Sequence, residues 1–82
     1  MRHAKTGELD GHGDLLTALR GIDGLKEKSY GTFYRKSRGF LHFHIDGDDL
    51  WADIKPADEW QRLPATTASD RAALIKLVQT SL

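Results

Sequence analysis

The sequence predicts an α+β domain: an antiparallel meander of three to four strands with an N-terminal and a C-terminal helix on one face. Three observations lead there. The chain is 82 residues long, which suits one domain rather than two and leaves a thin core. Two stretches in its centre alternate strictly between apolar and polar side chains about a turn. Apolar residues near both ends recur instead at helical spacing.

Residues 1–13 are polar and glycine-rich without apolar periodicity, and they read as a flexible arm before a folded domain over 14–82. Asp14 suits an N-cap, and Leu15, Leu16, Leu19 and Ile22 form one helical stripe ended by Gly21 and Gly24. Lys26, Glu27 and Lys28 read as a charged connection. All seven Phe, Tyr and Trp residues then fall between Tyr30 and Trp60, which places the structural centre there.

Thr32 to Lys36 has strand composition, and Ser37-Arg38-Gly39 suits a three-residue loop with glycine at the left-handed position. That loop would set Phe33 opposite Phe43. Along the next strand Leu41, Phe43 and Ile45 share one face, while Phe40, His42 and His44 share the other. Asp46-Gly47-Asp48-Asp49 is a turn by composition. If it closes about Gly47 and Asp48, Ile45 opposes Leu50, Phe43 opposes Ala52 and Leu41 opposes Ile54. A one-residue slip would spoil every pair, so this register is the best specified in the chain. A short strand around Trp60 to Leu63 adds a possible fourth. Pro64 breaks the chain, Thr67 and Asp70 nearly match a capping box, and Leu74, Leu77 and Val78 form the stripe of the last helix.

The stretches Glu27-Lys28-Ser29-Tyr30-Gly31-Thr32-Phe33 and Gly39-Phe40-Leu41-His42-Phe43-His44, in this arrangement, resemble small bacterial domains of the MmcQ/YjbR-like kind. The resemblance spans about Leu15 to Leu82. It implies a leading helix, a strand meander and a trailing helix, and it brings DNA binding into consideration. No functional residue of that family maps onto this chain.

Composition excludes several classes. Twelve basic residues balance twelve acidic ones, so the strong positive charge of a nucleic-acid binder is missing. The absence of cysteine removes disulfides and thiolate metal clusters. No apolar run reaches the roughly 18 residues of a membrane span, and the start lacks a signal-peptide core, so a cytoplasmic location is expected.

The chemistry-bearing residues gather on the second sheet face. In the registers above Tyr34, His42 and Asp53 form one row, with Thr32, His44 and Trp51 beside it. Tyr34, His42, His44, Trp51 and Asp53 are therefore the candidate binding face. Two histidines two apart on a strand point the same way, about 6–7 Å apart along it. With Asp53 opposite, His42, His44 and Asp53 are candidate metal ligands or an acid–base pair. His3 or His12 from the arm could complete a metal shell. The plain alternative is a half-exposed sheet surface in which a His–Asp pair contributes only about 0.2–1 kcal/mol and has no function.

Asp46, Asp48 and Asp49 lack the ligand array of a calcium loop and read as a solvated turn. Arg35, Lys36 and Arg38 lie near tyrosines and could track a phosphate backbone, although lysines at a sheet edge commonly serve to block aggregation. The expectation is a non-enzymatic ligand- or protein-binding module without a cofactor, monomeric or weakly dimeric. Nucleic acid and membrane are not expected partners.

Overall fold

The computed structural model describes residues 12–82 and, as backbone, residues 2–3. Of the arm expected over 1–13, residues 1 and 4–11 lie outside the described residues. In chain order the elements are β1 (Arg2–His3), α1 (Gly13–Arg20), β2 (Lys26–Ser29), β3 (Thr32–Arg35), β4 (Arg38–Asp46), β5 (Asp49–Ile54), β6 (Gln61–Pro64) and α2 (Ala68–Ser81). The fold is α+β. Strands β2-β3-β4-β5-β6 form an antiparallel meander, and β1 pairs with β4 through Arg2↔Ile45 and His3↔His44.

The sheet is thus larger than the three to four strands expected, and the added meander strand is β2. Its side chains, Lys-Glu-Lys-Ser, are almost all exposed, so no apolar alternation betrays it. An edge strand needs only backbone pairing to one neighbour, and charged side chains there discourage pairing with other chains.

The β4–β5 pairing is the one the turn composition predicts, with Leu41↔Ile54, Phe43↔Ala52 and Ile45↔Leu50 on one face. Gly47 has φ +62° at the first central position of the two-residue turn between Asp46 and Asp49, where such hairpins favour glycine.

The β3–β4 pairing differs from expectation. The turn contains two residues, Lys36 and Ser37, and Arg35 pairs with Arg38. Both turn residues sit at positive φ, 51° and 69°. A bulge follows, so Phe33 opposes Leu41 rather than Phe43, and Tyr34 opposes Gly39. At the bulge two consecutive residues, Phe40 and Leu41, are both buried, whereas plain alternation assigned Phe40 to the second face. Left-handed backbone at a non-glycine residue costs roughly 1–2 kcal/mol. Ser37→Gly is therefore expected to stabilise the domain by up to about 1 kcal/mol after glycine's own entropy cost. A urea denaturation midpoint at or below that of the parent would contradict the turn geometry.

Both helices cover the Phe33–Leu41–Phe43–Ala52–Ile54 face. Leu15, Leu16 and Leu19 of α1 and Leu74 and Val78 of α2 are buried with it, while Ile45 and Leu77 are only partly buried. Helix α1 begins with His12 rather than Asp14 as N-cap and has no side-chain cap; Asp14 lies in its first turn, where a negative charge suits the helix dipole. Helix α2 carries a full capping box between Thr67 and Asp70. Among the described residues no helix is long and apolar enough to cross a membrane.

Candidate functional site

The β4–β5 register that aligns the core also aligns its opposite face. His42 pairs with Asp53 and His44 with Trp51. Strand β6 then sets Arg62 opposite Asp53. The outcome is a four-residue cluster centred on one carboxylate. Arg62 donates from Nε to Asp53 Oδ1 at 2.8 Å and from Nη2 to Oδ2 at 3.0 Å. His44 Nε2 lies 2.7 Å from Oδ2, and His42 Nε2 lies 3.3 Å from the same oxygen.

Burial grades across the cluster. The Asp53 and His44 side chains are 12% and 10% exposed, His42 is 25% exposed and Arg62 46%. The Arg62 fork holds the Asp53 carboxyl below the usual carboxylate range. Burial opposes that shift, and the charges of His44, Arg62 and His42 reinforce it. The His42 ring meets His44 edge-on at 5.1 Å and Trp60 at 4.9 Å between centroids. Trp60 is 47% exposed, and the Lys55 ammonium sits 5.9 Å above its ring. The Trp51 indole N–H is buried and has no hydrogen-bond partner among the described residues.

The candidate metal ligands do come together, with one donor atom each from His42, His44 and Asp53 within 4.8 Å of one another. Zinc with ligands at about 2.0–2.1 Å in a tetrahedron separates them by roughly 3.3–3.4 Å. The His44–Asp53 separation of 2.7 Å is that of a direct ion-pair contact and is too short for two ligands of one zinc. Both carboxylate oxygens, moreover, are already engaged by a guanidinium. As it stands, the cluster is a carboxylate neutralised by Arg62 with two imidazoles against it. A cation would have to displace that arrangement.

Other sequence-derived candidates lie elsewhere. Tyr34 does not join the His42 row, because the bulge pairs it with Gly39 and Lys26; the Lys28 ammonium sits 5.9 Å from its ring. His12 does not reach the cluster: its Nδ1 lies 2.6 Å from Arg71 Nη2 at the start of α2. Burial and the Arg71 charge both push the His12 pKa down. The backbone of His3 pairs with His44, and its side chain lies outside the described residues. Arg35, Lys36 and Arg38 gather at the β3–β4 turn.

Sequence reasoning missed Arg62 and Trp60 as site residues. The signal was present in the expected strand over Trp60 to Leu63. Its register, however, depends on how the segment from Lys55 to Trp60 closes, and no turn motif in that segment specifies it. In comparisons with protein-family models, curated proteins and solved structures, none matches this chain.

Proposed function

We propose that this chain is a non-enzymatic binding module, working in the cytoplasm, that recognises a small ligand or protein segment through the His42–Trp60–Arg62 side of its sheet. The observation that carries this reading is the Asp53-centred network. It fixes the planar Arg62 guanidinium on Asp53 and holds the His42 ring, which packs edge-on against a half-exposed tryptophan, so little side-chain entropy remains to be lost on binding. Tryptophan and arginine are also the side chains that most often dominate binding energy. The fork to Asp53 uses Nε and Nη2 of Arg62 and leaves Nη1 outside it, where it can donate to a carbonyl or carboxylate of the ligand.

An acid–base or metal role for His42, His44 and Asp53 is the alternative. The close approach of the three side chains supports it, and the Arg62 fork weighs against it. A fragment and short-peptide screen by NMR, with melting temperatures measured on the same samples, separates the two readings. Hits should perturb the Trp60 indole, His42 and Arg62, and Trp60→Ala should abolish them while leaving the melting temperature within a few degrees. Zinc should give no saturable stabilisation in the same assay. Hits that survive Trp60→Ala would sink the binding-face reading, and zinc stabilisation lost in His42→Ala would promote the metal one.

A further inference from the structure

Away from the Asp53 cluster, the β3–β4 turn and the segment after β5 enclose a concavity of about 220 Å³. Arg35, Lys36, Arg38 and Lys55 line it with Phe40, and among the described residues Asp58 is the single acidic one on its wall. None of His42, His44, Asp53 or Arg62 takes part, so the site stands independently of the function proposed above.

Three features distinguish this concavity from an ordinary basic surface. The first is uncompensated charge. Lys36, Arg38 and Lys55 have no carboxylate partner among the described residues, in a chain whose acids and bases balance overall. The second is rigidity. The Lys55 N–H donates to the Phe40 carbonyl at 2.9 Å, tying the two walls together. Arg35 lies 5.1 Å from the centre of the Phe40 ring and donates to the Ser81 carbonyl at the end of α2. The third is backbone conformation. Lys36 keeps a left-handed φ of 51° in a tight turn where asparagine or glycine is the usual occupant. Non-glycine residues held in this region cluster at functional sites. Here the residue in that conformation is a lysine that lines the concavity.

We propose that this concavity binds the phosphate group of a small phosphorylated molecule. A phosphate monoester carries about −1.5 to −2 charges and three acceptor oxygens, which matches four cationic residues lining one concavity better than a single carboxylate does. The volume lies below the roughly 300–1,000 Å³ of drug-sized sites, so a phosphate or pyrophosphate fills it while the rest of the ligand projects outward. A nucleic-acid strand presents the same phosphate chemistry in a linear array. Arg35, Lys36, Arg38 and Lys55 instead line one small concavity.

The test is an NMR titration of the full chain at low salt with inorganic phosphate, pyrophosphate and a single-stranded oligonucleotide in separate arms. Pyrophosphate should shift the amides of Lys36, Arg38, Gly39 and Ala57 saturably. Arg38→Ala and Lys55→Ala should each weaken binding about tenfold, and Lys76→Ala on α2 should leave it unchanged. Asp58→Asn should tighten binding several-fold, a gain that a purely structural role for this wall would not produce. Absence of saturation, equal affinity in the Arg38 and Lys55 variants, or no gain in Asp58→Asn would overturn the proposal. So would an oligonucleotide that binds more tightly than pyrophosphate with shifts spreading to Lys26 and Lys28, since that describes a strand-tracking surface.

Discussion

Replacing Phe43 by alanine is expected to remove about 3–5 kcal/mol of folding stability. The ring is 3% exposed, at the centre of β4, opposite Ala52. Ala52 is too small to close the gap, and neither flank can move freely, because β4 is held between β3 and β5. Both the lost transfer energy and the cavity left behind therefore count. A domain of this size has roughly 4–12 kcal/mol in total at about 0.05–0.15 kcal/mol per residue. The substitution should thus leave the protein near or past the edge of folding at physiological temperature. Urea denaturation followed by tryptophan fluorescence and by circular dichroism measures it directly. A midpoint close to that of the parent would mean that Phe43 is not central to the core.

The second large effect is expected at Asp53, where one carboxylate serves three basic side chains. Asp53→Asn keeps the shape but removes the charge, leaving Arg62, His42 and His44 around a neutral amide. Loss of charged hydrogen bonds of this kind costs about 1–3 kcal/mol. The value should fall short of that for a fully buried ion pair, because Arg62 is 46% exposed and water screens its share.

The same residue sets an acid limb. Its folded-state pKa is lowered, chiefly by Arg62, so the unfolded chain takes up the proton first as pH drops. The stabilisation is complete above the unfolded value of about 3.9. It drains away as pH falls through the lower folded value. Glu27, held down by Arg20 and the Gly31 N–H, and Asp70, held down in the capping box, act in the same direction. The melting temperature of the parent should therefore fall steeply below about pH 4, and Asp53→Asn should flatten that slope without abolishing it. A slope unchanged in the variant would show that Asp53 does not titrate as a paired carboxylate.

How much of this was legible beforehand can be followed residue by residue. The pairing of Ile45 with Leu50 was readable because a slip by one place sets apolar side chains against polar ones along the whole hairpin. That register carried His42, His44 and Asp53 to one face without further assumption. The capping box at Thr67 and the Leu74–Val78 stripe were readable for a similar reason, since helix signals are local. Strand β2 was not legible, because an edge strand of Lys-Glu-Lys-Ser is stabilised by backbone pairing that leaves no mark on side-chain pattern. The bulge at Phe40 was hidden as well. It depends on a two-residue turn formed by Lys36 and Ser37, residues that do not advertise positive φ, and it moved Tyr34 out of the site.

Sequence by itself thus determined the fold class, the central hairpin and the meeting of two histidines with an aspartate. Only the tertiary structure decided what that meeting amounts to. The six-residue segment between Asp53's strand and β6 closes so that Arg62 faces Asp53. A guanidinium fork on both oxygens turns a possible metal ligand into one half of an ion pair. The same segment carries Ala57 and Asp58 to the wall lined by Arg35, Lys36, Arg38 and Lys55, residues that in sequence look like scattered surface charge. Local pattern records which side chains face the same way, whereas loop closure, a property of the whole chain, records which of them meet.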